Sequence, residues 1–159
     1  MSDWHSYFMS IAEVVATNSK CFSRKIGAVL VRDNAIIATG YNGPPRGLHP
    51  CRVLNDYGDA YIECCPRKEQ GYESGKGLHL CVAAHAERNA LIQAARTGVT
   101  TMGATLYCYC GQVCKDCAVE IVNAGVKRLV FLEGAPDYDS LAGYVLSQCG
   151  IEVVRLNYC

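Results

Sequence analysis

Residues 104–132 read ATLYCYCGQVCKDCAVEIVNAGVKRLVFL, and this stretch decides the fold. Ala104 to Cys110 reads as a strand, Lys115 to Asn123 as a helix with Ala124-Gly125 at its C-cap, and Arg128 to Leu132 as a second strand. A strand, a helix and a strand in so short a span make a crossover unit, which joins parallel neighbours of one sheet.

The alternation continues downstream, with a helix over Ser140 to Gln148 and a last strand over Ile151 to Leu156. Upstream, the alanine-rich Ala83 to Thr97, with Leu91 and Ile92, predicts a buried helix closed by Gly98. Trp4, Tyr7, Phe8, Ile11 and Val15 recur at helical spacing behind Asp3, a good N-cap, so a first helix ends near Asn18. Ile26 to Val31 and Ala35 to Ala38 flank the turn signal Arg32-Asp33-Asn34 and predict an antiparallel hairpin. Gly40-Tyr41-Asn42-Gly43-Pro44-Pro45-Arg46-Gly47 fits neither a helix nor a central strand. Leu48 to Gly77 has no period, and loops that long are usually functional or tied by metal. The expectation is an α/β fold in one domain spanning 1–159, without internal repeats or an interdomain linker.

The chain has 159 residues, half of them hydrophobic, which excludes disorder. Lys plus Arg equals Asp plus Glu at 15 each, so no broad positive field favours a nucleic-acid polymer. No apolar run approaches the ~18 residues of a membrane span. Met1 to Ser19 carries Asp3, His5 and Glu13 where a signal peptide needs a basic start and a clean apolar stretch, so a cytoplasmic, reducing setting is expected. There, 11 cysteines point to metal or catalysis before disulfides.

His85-Ala86-Glu87 opens one helix and Cys114-Lys115-Asp116-Cys117 the next. One imidazole and two thiolates make three soft ligands for zinc and leave a fourth tetrahedral position for water. Helix N-termini stabilise thiolates, and CxxC spacing sets both sulfurs on one side of a first turn. Glu87, two residues past His85, is placed to move protons rather than to bind metal. A structural zinc completed by Cys81, Cys108 or Cys110 is the alternative, but leaves Glu87 without a role. Cys108 and Cys110 share a strand face and read as packing residues. A redox CxxC lacks the matching fold order. H-x-E followed by P-C-x-x-C is the signature of zinc deaminases. Here Val113 replaces the proline and the first cysteine comes one residue late, which predicts a bulge or longer turn at that junction.

Beyond these motifs, Ser19-Lys20-Cys21, Arg24-Lys25-Ile26-Gly27-Ala28-Val29, the Gly40 to Gly47 loop, Cys81 to Ala95 and Cys117 to Val130 resemble the deoxycytidylate deaminase family. The resemblance implies a cytidine deaminase-like three-layer α/β/α fold with a five-stranded mixed sheet. It implies hydrolysis of dCMP to dUMP and ammonia by a homohexamer that dCTP activates and dTTP inhibits, with Mg2+ beside the regulatory nucleotide. Within that frame Glu87 is the catalytic residue and His85, Cys114 and Cys117 are the zinc ligands. Arg24 is assigned to the substrate phosphate. Asn42 takes a deoxyribose hydroxyl, or is the left-handed residue of its turn. The amide of Ala86 or Cys114 holds the base carbonyl, and Tyr138 stacks on the base. Asn42, Gly43, Arg46 and Arg96 are candidates for the regulatory nucleotide. Some family members carry a second, structural zinc; Cys21, Cys51, Cys65 and His79 are its expected ligands here, with Cys64 and Cys81 as substitutes. A deaminase of free cytidine, a base or RNA and a non-catalytic zinc-stabilised binding protein are the competing readings.

Overall fold

Asp3 caps the first helix, α1 (Trp4–Thr17), by accepting a hydrogen bond from the His5 amide at 3.1 Å. The computed structural model describes residues 3–73, 75–133 and 139–157. After α1 come the hairpin β1 (Gly27–Arg32) and β2 (Ala35–Tyr41), a small hairpin β3 (Arg52–Leu54) and β4 (Tyr61–Glu63), and a short helix α2 (Pro66–Glu69). Then follow α3 (Ala86–Thr97), β5 (Thr105–Cys108), α4 (Lys115–Asn123), β6 (Arg128–Leu132), α5 (Ser140–Gln148) and β7 (Glu152–Leu156).

The main sheet has the order β2-β1-β5-β6-β7. β1 is antiparallel to β2 and β5, whereas β5, β6 and β7 are parallel, as the two crossovers require. Asp33 and Asn34 both have positive φ, the conformation a two-residue hairpin turn demands.

Strand alternation sorts the core into two layers. Val29, Val31, Tyr107 and Val130 face α1, packing on Phe8, Met9 and Ala12. Ala28, Leu30, Leu106, Cys108, Leu129 and Phe131 point the other way, onto Ala90 and Ala94 of α3, Ile121 of α4 and Leu146 of α5. The result is a three-layer α/β/α fold around a five-stranded mixed sheet. Glycine permits two close approaches: a Cβ on Gly27 would strike the Ala12 carbonyl oxygen of α1, and one on Gly40 the Ala86 carbonyl oxygen and the Ala90 nitrogen of α3.

Four features differ from the sequence expectation. The stretch after Leu48 is not wholly irregular: β3 and β4 pair there, Arg52 lies 4.1 Å over the Tyr61 ring, and the Asn55 side chain ties the connecting loop to Asp59 and Ala60. Runs of three residues are too short to display alternation. β2 continues through Gly40 and Tyr41, which an edge strand against α3 allows. α3 starts at Ala86 rather than Ala83, because Ala84 is extended and exchanges two backbone hydrogen bonds with Gly43, at 2.9 and 3.1 Å. β5 stops at Cys108; the Cys110 amide donates to the Cys108 carbonyl at 2.8 Å, a three-residue turn that breaks the ladder at the expected junction.

Candidate active site

Two helix N-termini meet at the C-terminal end of β5. His85 is the N-cap of α3, but its side chain makes no cap hydrogen bond and is turned instead toward α4. Its Nδ1 lies 3.4 Å from Cys114 Sγ and 3.3 Å from Cys117 Sγ. Cys114 is the N-cap of α4, and its sulfur accepts the Cys117 amide at 3.4 Å. Ligand atoms on a tetrahedral centre with metal–sulfur bonds of about 2.3 Å and metal–nitrogen bonds of about 2.0 Å stand roughly 3.5 Å apart, so the three donors fit zinc. The Cys117 thiol, ahead of the His85 ring, holds Cys114 down at about 4 against the opposing effect of burial. Cys117 is pushed up, because it donates to Cys114 and is itself buried. Such a pair readily exchanges its remaining proton for a cation.

Glu87 sits in the first turn of α3, only 3% exposed, and burial pushes its carboxyl up. Ala86, the first residue of that helix, is fully buried, and its amide is one that no helical carbonyl reaches. Glu87 and His85 line a cavity of about 230 Å³, with Arg24, Asn42, Arg67 and Gln112 among its other walls. Arg24 is exposed at this cavity. Asn42 is not in the left-handed region. Its Oδ1 accepts from the Ile26 amide at 2.9 Å and the Ser19 hydroxyl at 2.7 Å, and its Nδ2 donates to the Arg24 carbonyl at 2.8 Å. The buried Asn42 thus braces the segment that carries Arg24.

Gly43 forms the bridge to Ala84 at the wall of the site. Arg46 donates to Gln93 of α3 at 3.3 Å, and Arg96 stands three residues on along the same face of that helix, away from the cavity lining. Tyr138 lies outside the described residues.

Sequence reasoning missed Arg67 and Gln112. Arg67 is buried, and its guanidinium donates to the carbonyls of Lys76 and Glu73, which shapes the wall near Gly75. Gln112 donates to the Asp139 carbonyl at 3.1 Å, and Asp139 in turn accepts the Lys115 amide at 2.7 Å. Neither residue sits in a periodic segment, so no sequence signal marked it.

Burial, and then the nearby thiols of Cys81, Cys21 and Cys65, push Cys51 up. The His79 ring packs edge-on to Tyr72, with ring centroids 5.9 Å apart. Cys64 turns to the Ile62 carbonyl. Among the described residues, two groups bring three ligand atoms within 4.8 Å of one another: His85–Cys114–Cys117, and Glu87–Cys108–Cys110. The latter pair of thiols, expected only to pack, is buried with its sulfurs 3.1 Å apart.

The layered fold and the His-Cys-Cys set beside a buried glutamate match the pattern of the zinc deaminases. The family described as the cytidine and deoxycytidylate deaminase zinc-binding region matches residues 2–133, and the chain belongs to it. It is 40% identical over 150 residues to the deoxycytidylate deaminase of Schizosaccharomyces pombe, covering 94% of this chain and 43% of that protein. The Saccharomyces cerevisiae deoxycytidylate deaminase is 38% identical over 155 residues, 98% of this chain and 45% of that protein. The chain therefore spans less than half the length of these two relatives. The structure of dCMP deaminase from cyanophage S-TIM5, in complex with dCMP and dUMP, superimposes with a TM-score of 0.76 at 29% identity, over 98% of this chain and 99% of that one. Among the described residues, no helix is long and apolar enough to cross a membrane.

Proposed function

We propose that the protein deaminates dCMP to dUMP and ammonia, with residues 1–159 acting as one deaminase domain. The observation that carries this reading is the convergence of His85, Cys114 and Cys117 beside the buried Glu87 in a cavity that Arg24 also lines. The cyanophage enzyme of similar fold, solved with dCMP and dUMP, supports the same substrate.

His85, Cys114 and Cys117 would hold zinc. When bound, zinc supplies a Lewis acid that makes water nucleophilic near neutral pH. Glu87 accepts the proton of the attacking water and delivers it to N3 of the cytosine ring. It then passes a proton to the departing amino group, which leaves as ammonia. The amide of Ala86 or Cys114 holds the base carbonyl. Arg24 pairs with the phosphate, and the Nδ2 proton of Asn42 not given to Arg24 is offered to the deoxyribose hydroxyl. Burial in the site excludes competing solvent.

The family resemblance extends the proposal to a cytoplasmic homohexamer, activated by dCTP and inhibited by dTTP with Mg2+. Gly43, Arg46 and Arg96 are the regulatory candidates, with Asn42 beside them. That Arg46 reaches Gln93 of α3, three residues before Arg96 on that helix, supports a common anionic ligand. A second, structural zinc is proposed at Cys21, Cys51, Cys65 and Cys81, supported by their grouping around Cys51.

Ammonia release from dCMP, dCTP, deoxycytidine and cytidine, each with and without dCTP and dTTP as effectors, tests the proposal. Preference for dCMP is expected. Equal turnover of free cytidine would overturn the substrate, and hyperbolic kinetics blind to both triphosphates would overturn the regulation.

A further inference from the structure

Glu87 has a second set of neighbours that deamination does not use. The turn after β5 folds the chain back so that Cys108 and Cys110, two residues apart, present their sulfurs on the same side, 3.1 Å from each other. Both are buried, and their ligand atoms and that of Glu87 all lie within 4.8 Å of one another. Cys110 also donates to the Gln112 carbonyl at 3.4 Å, so this pair lies directly behind two residues of the cavity wall, Glu87 and Gln112.

We propose that Cys108, Cys110 and Glu87 form a further metal site, distinct from the catalytic and structural zinc sites, specific for a thiophilic divalent cation such as cadmium or excess zinc, and that filling it stops the reaction. Two sulfurs and one carboxylate oxygen are a donor set for such ions and a poor one for magnesium or calcium, which take oxygen alone. The set shares no ligand with His85, Cys114 and Cys117. A cation that enters the cavity meets Glu87 first and the thiols next; the two thiol protons leave to solvent as the sulfurs bind. Chelation rather than disulfide formation is the chemistry that fits, because both thiols are buried and an oxidant meets no exposed thiolate. Inhibition follows because a carboxylate committed to the second cation no longer faces the substrate. This half rests on the role proposed for Glu87; the binding half does not.

The test loads the protein with one zinc at the His85 site and titrates it with cadmium, following bound metal, the ultraviolet thiolate-to-cadmium absorption and ammonia release together. A Cys51→Ser background removes the other thiol group from the count. Wild-type side chains at 108 and 110 should take up one further cadmium and lose activity in parallel. The variant carrying Cys108→Ala and Cys110→Ala should keep its zinc, lack that absorption and tolerate about tenfold more cadmium or better. Equal uptake and equal inhibition with and without the two thiols would overturn the site. If the double variant does not fold, cadmium NMR of the Cys51→Ser protein decides, with mixed sulfur–oxygen ligation expected and its absence overturning the proposal. Uptake without inhibition would overturn the inhibitory half, and Glu87→Gln then separates the causes. Weakened cadmium binding in that variant keeps Glu87 as a ligand and removes its role in deamination; unchanged binding removes it from the site.

Discussion

Arg88 of α3 and Glu120 of α4 close a two-pronged ion pair, with Arg88 Nε 3.0 and 2.9 Å from the two carboxylate oxygens and a second guanidinium nitrogen at 2.8 Å. One helix begins at His85 and the other at Cys114, so the pair bridges the two helices that carry the candidate metal-binding side chains. Both side chains are more than a third exposed, at 37% and 39%, and solvent screens them. Arg88→Ala should therefore cost about 1 kcal/mol of stability or less. It should weaken zinc retention by about fivefold or less. Denaturant titration and chelator competition read the two effects; zinc loss as complete as in His85→Ala would mean that Arg88 acts on the site directly.

Glu87→Gln should abolish turnover, by about 10²-fold or more, because the amide cannot carry a proton between water and base. The zinc content should not change, since the His85, Cys114 and Cys117 donors are untouched. His85→Ala should lose metal and activity together. Metal analysis beside an ammonia assay separates the two variants, and a Glu87→Gln protein purified without zinc would contradict the assigned division of labour.

Gly40→Ala tests the packing that seats α3. The new Cβ would meet backbone atoms of Ala86 and Ala90, which cannot swing away as a side chain can. Overpacking of this kind costs about 1–3 kcal/mol. The shift should appear in the thermal midpoint and, because Ala86 adjoins His85 and Glu87, in activity below that midpoint as well. Unchanged values in both would show that β2 moves aside freely.

Much of this was legible because it was written in long periods. α1, α4, α5, β6 and the β1–β2 turn stand where hydrophobic spacing and capping residues placed them. The grouping of His85, Cys114 and Cys117 was legible because HxE and CxxC each open a helix. What escaped depended on contacts distant in sequence. Ala83 and Ala84 look helical alone, and the pairing of Ala84 with Gly43 holds the helix start back to Ala86. Asn42 was read as a sugar contact or a turn residue, and nothing local announced that its side chain also binds Ser19, Arg24 and Ile26. Arg67 is buried by loop carbonyls that no local pattern announces.

Arg24→Ala should raise KM for dCMP by about tenfold or more while leaving deoxycytidine nearly unchanged, since a charge-assisted contact to phosphate is worth about 1.5–3 kcal/mol. The substitution removes only the exposed side chain; the Arg24 carbonyl still accepts from Asn42 at 2.8 Å, so the cavity wall should hold. Steady-state kinetics on both substrates decide the matter. A proportional loss on both would mean that Arg24 shapes the wall and another cation, with Arg67 the first candidate, meets the phosphate.

Two ligand sets for the second zinc, one with His79 and one with Cys81, can be told apart by substitution. Cys51 has Cys81, Cys21 and Cys65 as neighbours, whereas the His79 ring is engaged with Tyr72. Four thiolates make a closed site of the kind used for structural zinc, and closing it would offset part of the roughly 1–2 kcal/mol per residue needed to order the loop between Leu48 and Leu80. Protein purified without chelator should carry two zinc ions per chain. Cys51→Ser and Cys81→Ser should each lose one of them and melt earlier, with the zinc at His85, Cys114 and Cys117 retained. His79→Ala should keep both ions. Conversely, one zinc per chain, all of it lost in Cys117→Ala, would show that packing alone orders the loop. Loss of the second ion in His79→Ala but not in Cys81→Ser would return the ligand role to the histidine and require the loop to rearrange when metal binds.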